Sequence, residues 1–233
     1  MITIYHFLLS SANMSDIFLK TFFEADLADE THPEKFISKP QAEQLFTFFR
    51  DCTLFKWNDS NNNCEARADA ACLLLDEWKI PNYKGWVFGG SFLKQNFGNL
   101  INFWNYHVAA LIPVQEDGVI NFYIIDPATS NVLISLQNWA DNITYYGPSY
   151  YFIREADYYI FPVGKIKREK WNRRNKQNQK WTMQGLSCIN GLTYIGKAEL
   201  CFKKNKIKRT IKRFRALKLQ NPLTQNQVVI TNQ

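Results

Sequence analysis

Before residue 80, apolar positions recur at helical spacing in three places. Ile17, Phe18, Phe22 and Leu27 predict a short helix over 15–28, closed by the turn-rich stretch Asp29 to Pro33. Pro40 opens a stronger one, with Ser38 as its cap and Ala42, Leu45, Phe46, Phe48 and Phe49 on one side before Cys52. Phe55 and Trp57 lead into an Asn, Asp and Ser loop over 58–63. That loop stops at Cys64, where Ala66, Ala68, Ala70, Ala71, Leu73, Leu74, Leu75 and Trp78 predict a third helix ended by Pro81. Cys64 therefore stands at a helix N-terminus.

The pattern then turns strand-like. Gly85 to Phe88, Trp104 to Val114 and Val119 to Asp126 are rich in β-branched and aromatic residues, and the last two read as a β-hairpin. A four-residue loop, Gln115 to Gly118, would set His107 directly opposite Asp126. A two-residue Asp117-Gly118 loop shifts the partner by two and keeps both side chains on one face. Further on come a segment ending near Trp139, a strand candidate over 157–163, a basic segment over 165–180, a small hairpin around Gly185 to Phe202 and a helix over Ile207 to Leu217.

Composition narrows the class. The 233 residues are 46% apolar and 15% aromatic, enough for one domain with a sizeable core and too apolar for a disordered chain. No stretch approaches the ~20 apolar residues that cross a bilayer, which predicts a soluble protein. Residues 1–15 hold an apolar patch at Ile4 to Leu9 with no basic stretch before it, a poor secretory signal that leaves a trimmed leader open. Charge is split: residues 1–164 carry 10 Lys and Arg against 19 Asp and Glu, residues 165–233 carry 18 against 2, and the total is +7. An acidic body thus precedes a basic tail. Lys165 to Arg174 and Lys203 to Lys218, interleaved with Trp171, Trp181, Phe202 and Phe214, fit an anionic partner, either nucleic acid or membrane, or a solvated surface docked on the body. Ile207, Ile211, Phe214 and Leu217 give the last helix one apolar face, suited to packing or to targeting. The five cysteines form no CxxC pair and are odd in number, which argues against zinc and against a disulfide scaffold.

Three residues carry candidate chemistry. Burial alone explains most free cysteines, a backbone partner explains many buried histidines, and Asp-Pro often forms a turn. Together, Cys64, His107 and Asp126 supply a nucleophile at a helix start, a base on a strand, and a carboxylate facing that base. The helix N-terminus is expected to lower the thiol pKa and to offer N–H groups to an oxyanion. Trp86, Phe88, Trp104 and Tyr106 are candidates to line an open cleft, and at least half of them read as core. Arg67 would pair with Asp126, with a loop carboxylate, or across the helix surface.

The blocks Cys64-Glu65-Ala66-Arg67-Ala68, Lys84-Gly85-Trp86-Val87-Phe88-Gly89, Trp104-Asn105-Tyr106-His107-Val108-Ala109 and Tyr123-Ile124-Ile125-Asp126-Pro127 resemble the bacterial protein-glutaminases, protein-glutamine deamidases of transglutaminase-like fold. The resemblance runs from about Gln41 to Trp139. It departs at Asp69, where the pattern often has histidine, a change that bears on substrate preference. The resemblance implies an α+β fold, a papain-like or transglutaminase-like core with the nucleophile helix packed on an antiparallel sheet. It further implies Cys64 as nucleophile, His107 as general base and acid, Asp126 as its orienting group, glutamine side chains of proteins as substrate, and no metal or organic cofactor. Transglutaminase and cysteine protease chemistry remain alternatives within that fold, and a basic nucleic-acid- or membrane-binding module with an inactive triad is the alternative outside it. The chain divides accordingly into an N-terminal segment, 1–39, that is leader or pro-like, a catalytic domain, 40–164, and a basic extension, 165–233. Secretion or delivery by bacteria is implied likewise.

Overall fold

The structure, a computed structural model, describes residues 33–58, 64–92, 103–143, 150–156, 176–187 and 197–224. The expected helix over 15–28 and strand over 157–163 lie outside them. After the two-residue strand β1 (Ile37–Ser38), helix α1 (Lys39–Asp51) begins at Ser38 with Pro40 in its first turn. The Ser38 N–H and hydroxyl both donate to Gln41 Oε1, at 2.9 and 3.1 Å, which ties the free end of the backbone to the first turn. Ala42, Leu45, Phe46 and Phe49 are its buried side. Beyond its end, Trp57 donates its indole N–H to Phe49 O at 2.6 Å and stacks on Phe55, so the exit loop is held on the core.

Helix α2 (Cys64–Glu77) is buried on every side from Ala66 to Leu75. That is why its apolar residues fall on all sides and mark no single stripe. Its end is a Schellman turn: Ile80 N–H reaches Leu75 O at 2.8 Å, Lys79 N–H reaches Asp76 O at 3.0 Å, and Lys79 takes φ 60° where glycine is the usual choice. Pro81 follows and prevents continuation.

The sheet is built on β3 (Phe103–Glu116). β2 (Tyr83–Phe92) pairs antiparallel along its first part and β4 (Val119–Ile125) antiparallel along its second. β1 adds a short parallel contact at Val114 and Gln115, and β5 (Tyr150–Glu155) lies on the far edge of β2. Ala110, Ile112 and Val114 face one core layer with α1 and α2, whereas Ala109 and Leu111 face a second layer with α3 (Leu136–Ile143). A strand covered on both faces reads as the unbroken apolar run Val108 to Val114. Gly85 lets α3 approach closely: a Cβ there would sit 3.1 Å from Leu136 Cδ1 and 3.2 Å from Leu111.

The C-terminal region departs from expectation. The small hairpin around Gly185 to Phe202 is overturned at both ends, because α4 (Lys176–Leu186) includes Gly185 and α5 (Lys197–Lys218) includes Phe202. Met183, Leu186 and Phe214 join the same core layer as α2. Trp78 donates its indole N–H to Lys218 O at 3.0 Å, and Lys218 Nζ pairs with Glu77 at 2.9 Å, so the ends of α2 and α5 are fastened together.

Candidate active site

The hairpin that carries the site has the shorter of the two loops. Val119 pairs with Glu116 and Ile125 with Ala110, leaving Asp117 and Gly118 as the turn, with φ 52° and 81°. Positive φ at both positions makes a type I′ turn, whose twist matches that of the strands. Continued one step, this register sets Asp126 opposite Ala109, two residues from His107 on the same face. The diagonal suffices: His107 Nε2 lies 2.8 Å from Asp126 Oδ2, and both side chains are buried.

Two further residues fix the carboxylate. The Thr129 hydroxyl donates to Asp126 Oδ2 at 2.5 Å, and Trp139 donates its indole N–H to Thr129 Oγ1 at 2.8 Å. The Trp139 ring also packs 5.6 Å from the imidazole, centroid to centroid. The Thr129 and Ser130 N–H groups turn back onto Asp126 O, at 3.0 and 3.2 Å, which explains why an Asp-Pro step closes β4. Burial works to raise the Asp126 carboxyl, but His107, Thr129 and Arg67 outweigh it and hold it below the usual carboxylate value.

Cys64 reaches the same strand from α2. Its sulfur accepts a hydrogen bond from the backbone N–H of Val108, the residue after His107, and the half-buried thiol donates to Glu65 Oε2 at 3.4 Å. The expectation of a lowered thiol pKa is corrected here. Burial and then the Glu65 carboxylate push the Cys64 thiol well above its ordinary value, against the opposing pull of Arg67 and the Val108 N–H. Desolvation is the largest of these effects.

Arg67 is buried, not on a helix surface, and lies 5.9 Å from the centre of the Trp57 ring. Its charge acts on both Cys64 and Asp126. Trp86 is buried in the core, so it does not line a cleft, and the side chains of Phe88, Trp104 and Tyr106 are outside the described ones. Sequence reasoning missed Thr129, although Asp-x-x-Thr after a strand signals a side chain turning back on its own loop. It also missed the ion pair of Lys84 with Asp69, both buried, in which Thr182 of α4 donates its hydroxyl to the second Asp69 oxygen at 3.2 Å. Among the described residues no group of His, Cys, Asp and Glu is placed to hold a metal ion.

A thiol at a helix start thus lies against the strand that carries a buried imidazole–carboxylate pair. Residues 42–143, less than half of the chain, match a family model described as glutaminase. The fold is that of the protein-glutaminases. The NMR structure of protein-glutaminase from Chryseobacterium proteolyticum is 18% identical, with a TM-score of 0.52 over 68% of this chain and 91% of that one. A crystal structure of protein-glutaminase is 19% identical, with a TM-score of 0.53 over 71% of this chain and 100% of the other. A crystal structure of pro-protein-glutaminase gives 19% and 0.53, over 76% and 67%. No curated protein matches.

Proposed function

We propose that the protein hydrolyses the side-chain amide of glutamine in a protein substrate, giving glutamate and ammonia through a cysteinyl thioester. The observation that carries this reading is the His107–Asp126 pair set on the strand whose next N–H bonds to the Cys64 sulfur. The glutaminase match over 42–143 supports the choice of reaction.

With Nε2 facing Asp126, Nδ1 is the ring nitrogen that exchanges a proton with the thiol. Cys64 is uncharged at rest, hydrogen-bonded to Glu65, so ionisation accompanies proton transfer to His107. The resulting thiolate attacks the glutamine carbonyl, and imidazolium is stabilised by a carboxylate that stays ionised. The first-turn N–H groups of α2, which have no partner within the helix, are available to the oxyanion. Imidazolium then protonates departing ammonia, and neutral His107 next activates the water that hydrolyses the thioester. Arg67, buried beside both Cys64 and Asp126, favours the anionic form of each.

The test is ammonia release from casein by the full chain, with intact mass and gel mobility of the casein followed in parallel. Ammonia with no cleavage and no cross-linking, abolished in Cys64→Ala, is the expected result. Cross-linked or shortened casein would replace deamidation by transglutaminase or protease chemistry, and undiminished release by Cys64→Ala would sink the thiol mechanism.

A further inference from the structure

Helix α5 presents two faces of opposite character. Ile207, Thr210 and Phe214 are buried against the body. On the other side Lys204, Lys208, Arg209, Lys212 and Arg215 are all exposed, and from residue 201 to 218 there are nine Lys and Arg and no Asp or Glu. At 3.6 residues per turn, Lys208, Lys212, Arg215 and the following Leu219 fall in one row, with Phe202 and Arg209 in the next. Like charges four residues apart, as at 204, 208 and 212, repel one another and disfavour the helix in isolation.

Both ends of this charged face are apolar. Phe202 is 68% exposed and Leu219 is 88% exposed, on the solvent side of a helix whose inner side is already packed. We propose that this outer face of α5 is a docking surface for an anionic lipid bilayer, with the Lys and Arg row at the headgroups and Phe202 and Leu219 dipping between them. The two exposed apolar ends favour a bilayer over nucleic acid. A phosphate backbone rewards the charges alone, whereas a lipid interface rewards both charges and apolar tips. Among the described residues no helix is long and apolar enough to cross a membrane, so the contact is peripheral. Residues 1–164, with net charge −9, are repelled by the same surface, which orients the molecule with its tail toward the lipid. The proposal is independent of the reaction assigned to Cys64.

The experiment is co-sedimentation of the full chain with vesicles of phosphatidylcholine alone, and with about 30% phosphatidylserine, at low and physiological salt. Binding only to the anionic vesicles, weakened by salt, is expected. Replacing Lys208, Lys212 and Arg215 by Gln should lower it by roughly fivefold per charge, about a hundredfold in all. Phe202→Ser and Leu219→Ser should each lower it severalfold with the charges intact. Circular dichroism and ammonia release from a short soluble glutamine peptide serve as controls and should not change. Equal binding to both vesicle types, no binding to either, or salt-sensitive binding to an oligouridylate without vesicle binding would each overturn the proposal.

Discussion

Two buried acid–base pairs sit on opposite faces of one sheet. Asp126 with His107 lies in the α3 layer, and Asp69 with Lys84 joins α2 to β2. Each carboxylate takes a second hydrogen bond from a threonine, Thr129 in one case and Thr182 in the other. Burial and pairing are therefore shared, and they do not distinguish a reactive site. The partner does: an imidazole has two ring nitrogens, so one can hold the carboxylate while the other exchanges a proton, whereas a lysine ammonium only donates. The second distinction is placement. His107 stands beside the Val108 N–H that meets a thiol, while Lys84 closes a joint between three elements.

The comparison can be tested by matched substitutions. Asp126→Asn should lower kcat for ammonia release by roughly 10⁴-fold, because the amide can hold the imidazole in the wrong tautomer and cannot stabilise its charged form. Retention of activity within tenfold would make the two pairs equivalent in role. Lys84→Met leaves Asp69 buried without its cation and should cost about 3–5 kcal/mol in urea unfolding, with activity per folded molecule kept. Adding Asp69→Leu should restore most of that stability, since removing both charges is far less damaging than removing one. The threonines give a finer contrast. Thr129→Val should cost about 1–3 kcal/mol and also reduce kcat, because it takes the acceptor of the Trp139 N–H and leaves Asp126 held by His107 without the hydroxyl, while Thr182→Val should cost about 1 kcal/mol and leave kcat alone.

Acid separates the pairs most gently. The Asp126 carboxyl is held below its unfolded value of about 3.9, so it binds fewer protons folded than unfolded. Its contribution to stability is complete above that unfolded value and is lost as pH falls through the lower folded one. The difference in urea midpoint between the wild type and Asp126→Asn should accordingly be constant from neutral pH down to about 5 and shrink below about 4. A difference that grew on acidification would mean that the carboxyl is raised.

The part of the site legible in the sequence is the part set by local rules. Ser38, Pro40 and Gln41 mark a helix start, Asp117-Gly118 a tight turn, and the alternation of the hairpin brings 107 and 126 to one face. The thiol's direction was misread because a dipole is visible in a sequence whereas burial beside Glu65 is not. β5 was missed because Tyr150 to Arg154 is edge-strand sequence next to a second aromatic run, and nothing local chooses between them. Gly185 suggested a turn, yet tertiary packing of Met183 and Leu186 on α2 keeps that stretch helical. Asp69 did carry a signal: a carboxylate, one of two charges with Arg67 in the otherwise apolar stretch Ala66 to Leu75, needs a buried partner, although not one the sequence can name.

The hydroxyl that Thr182 extends to Asp69 has a bearing on how such proteins can be recombined. It comes from beyond residue 143, where the family match stops, as do the Met183, Leu186 and Phe214 side chains that sheathe the helix bearing the sulfur. A gene fragment cut at the edge of recognisable homology would strip one wall from that helix and leave a half-solvated carboxylate in its place. The smallest portable unit is thus longer than the recognisable one, and grafts or minimised versions should keep the chain through Lys218.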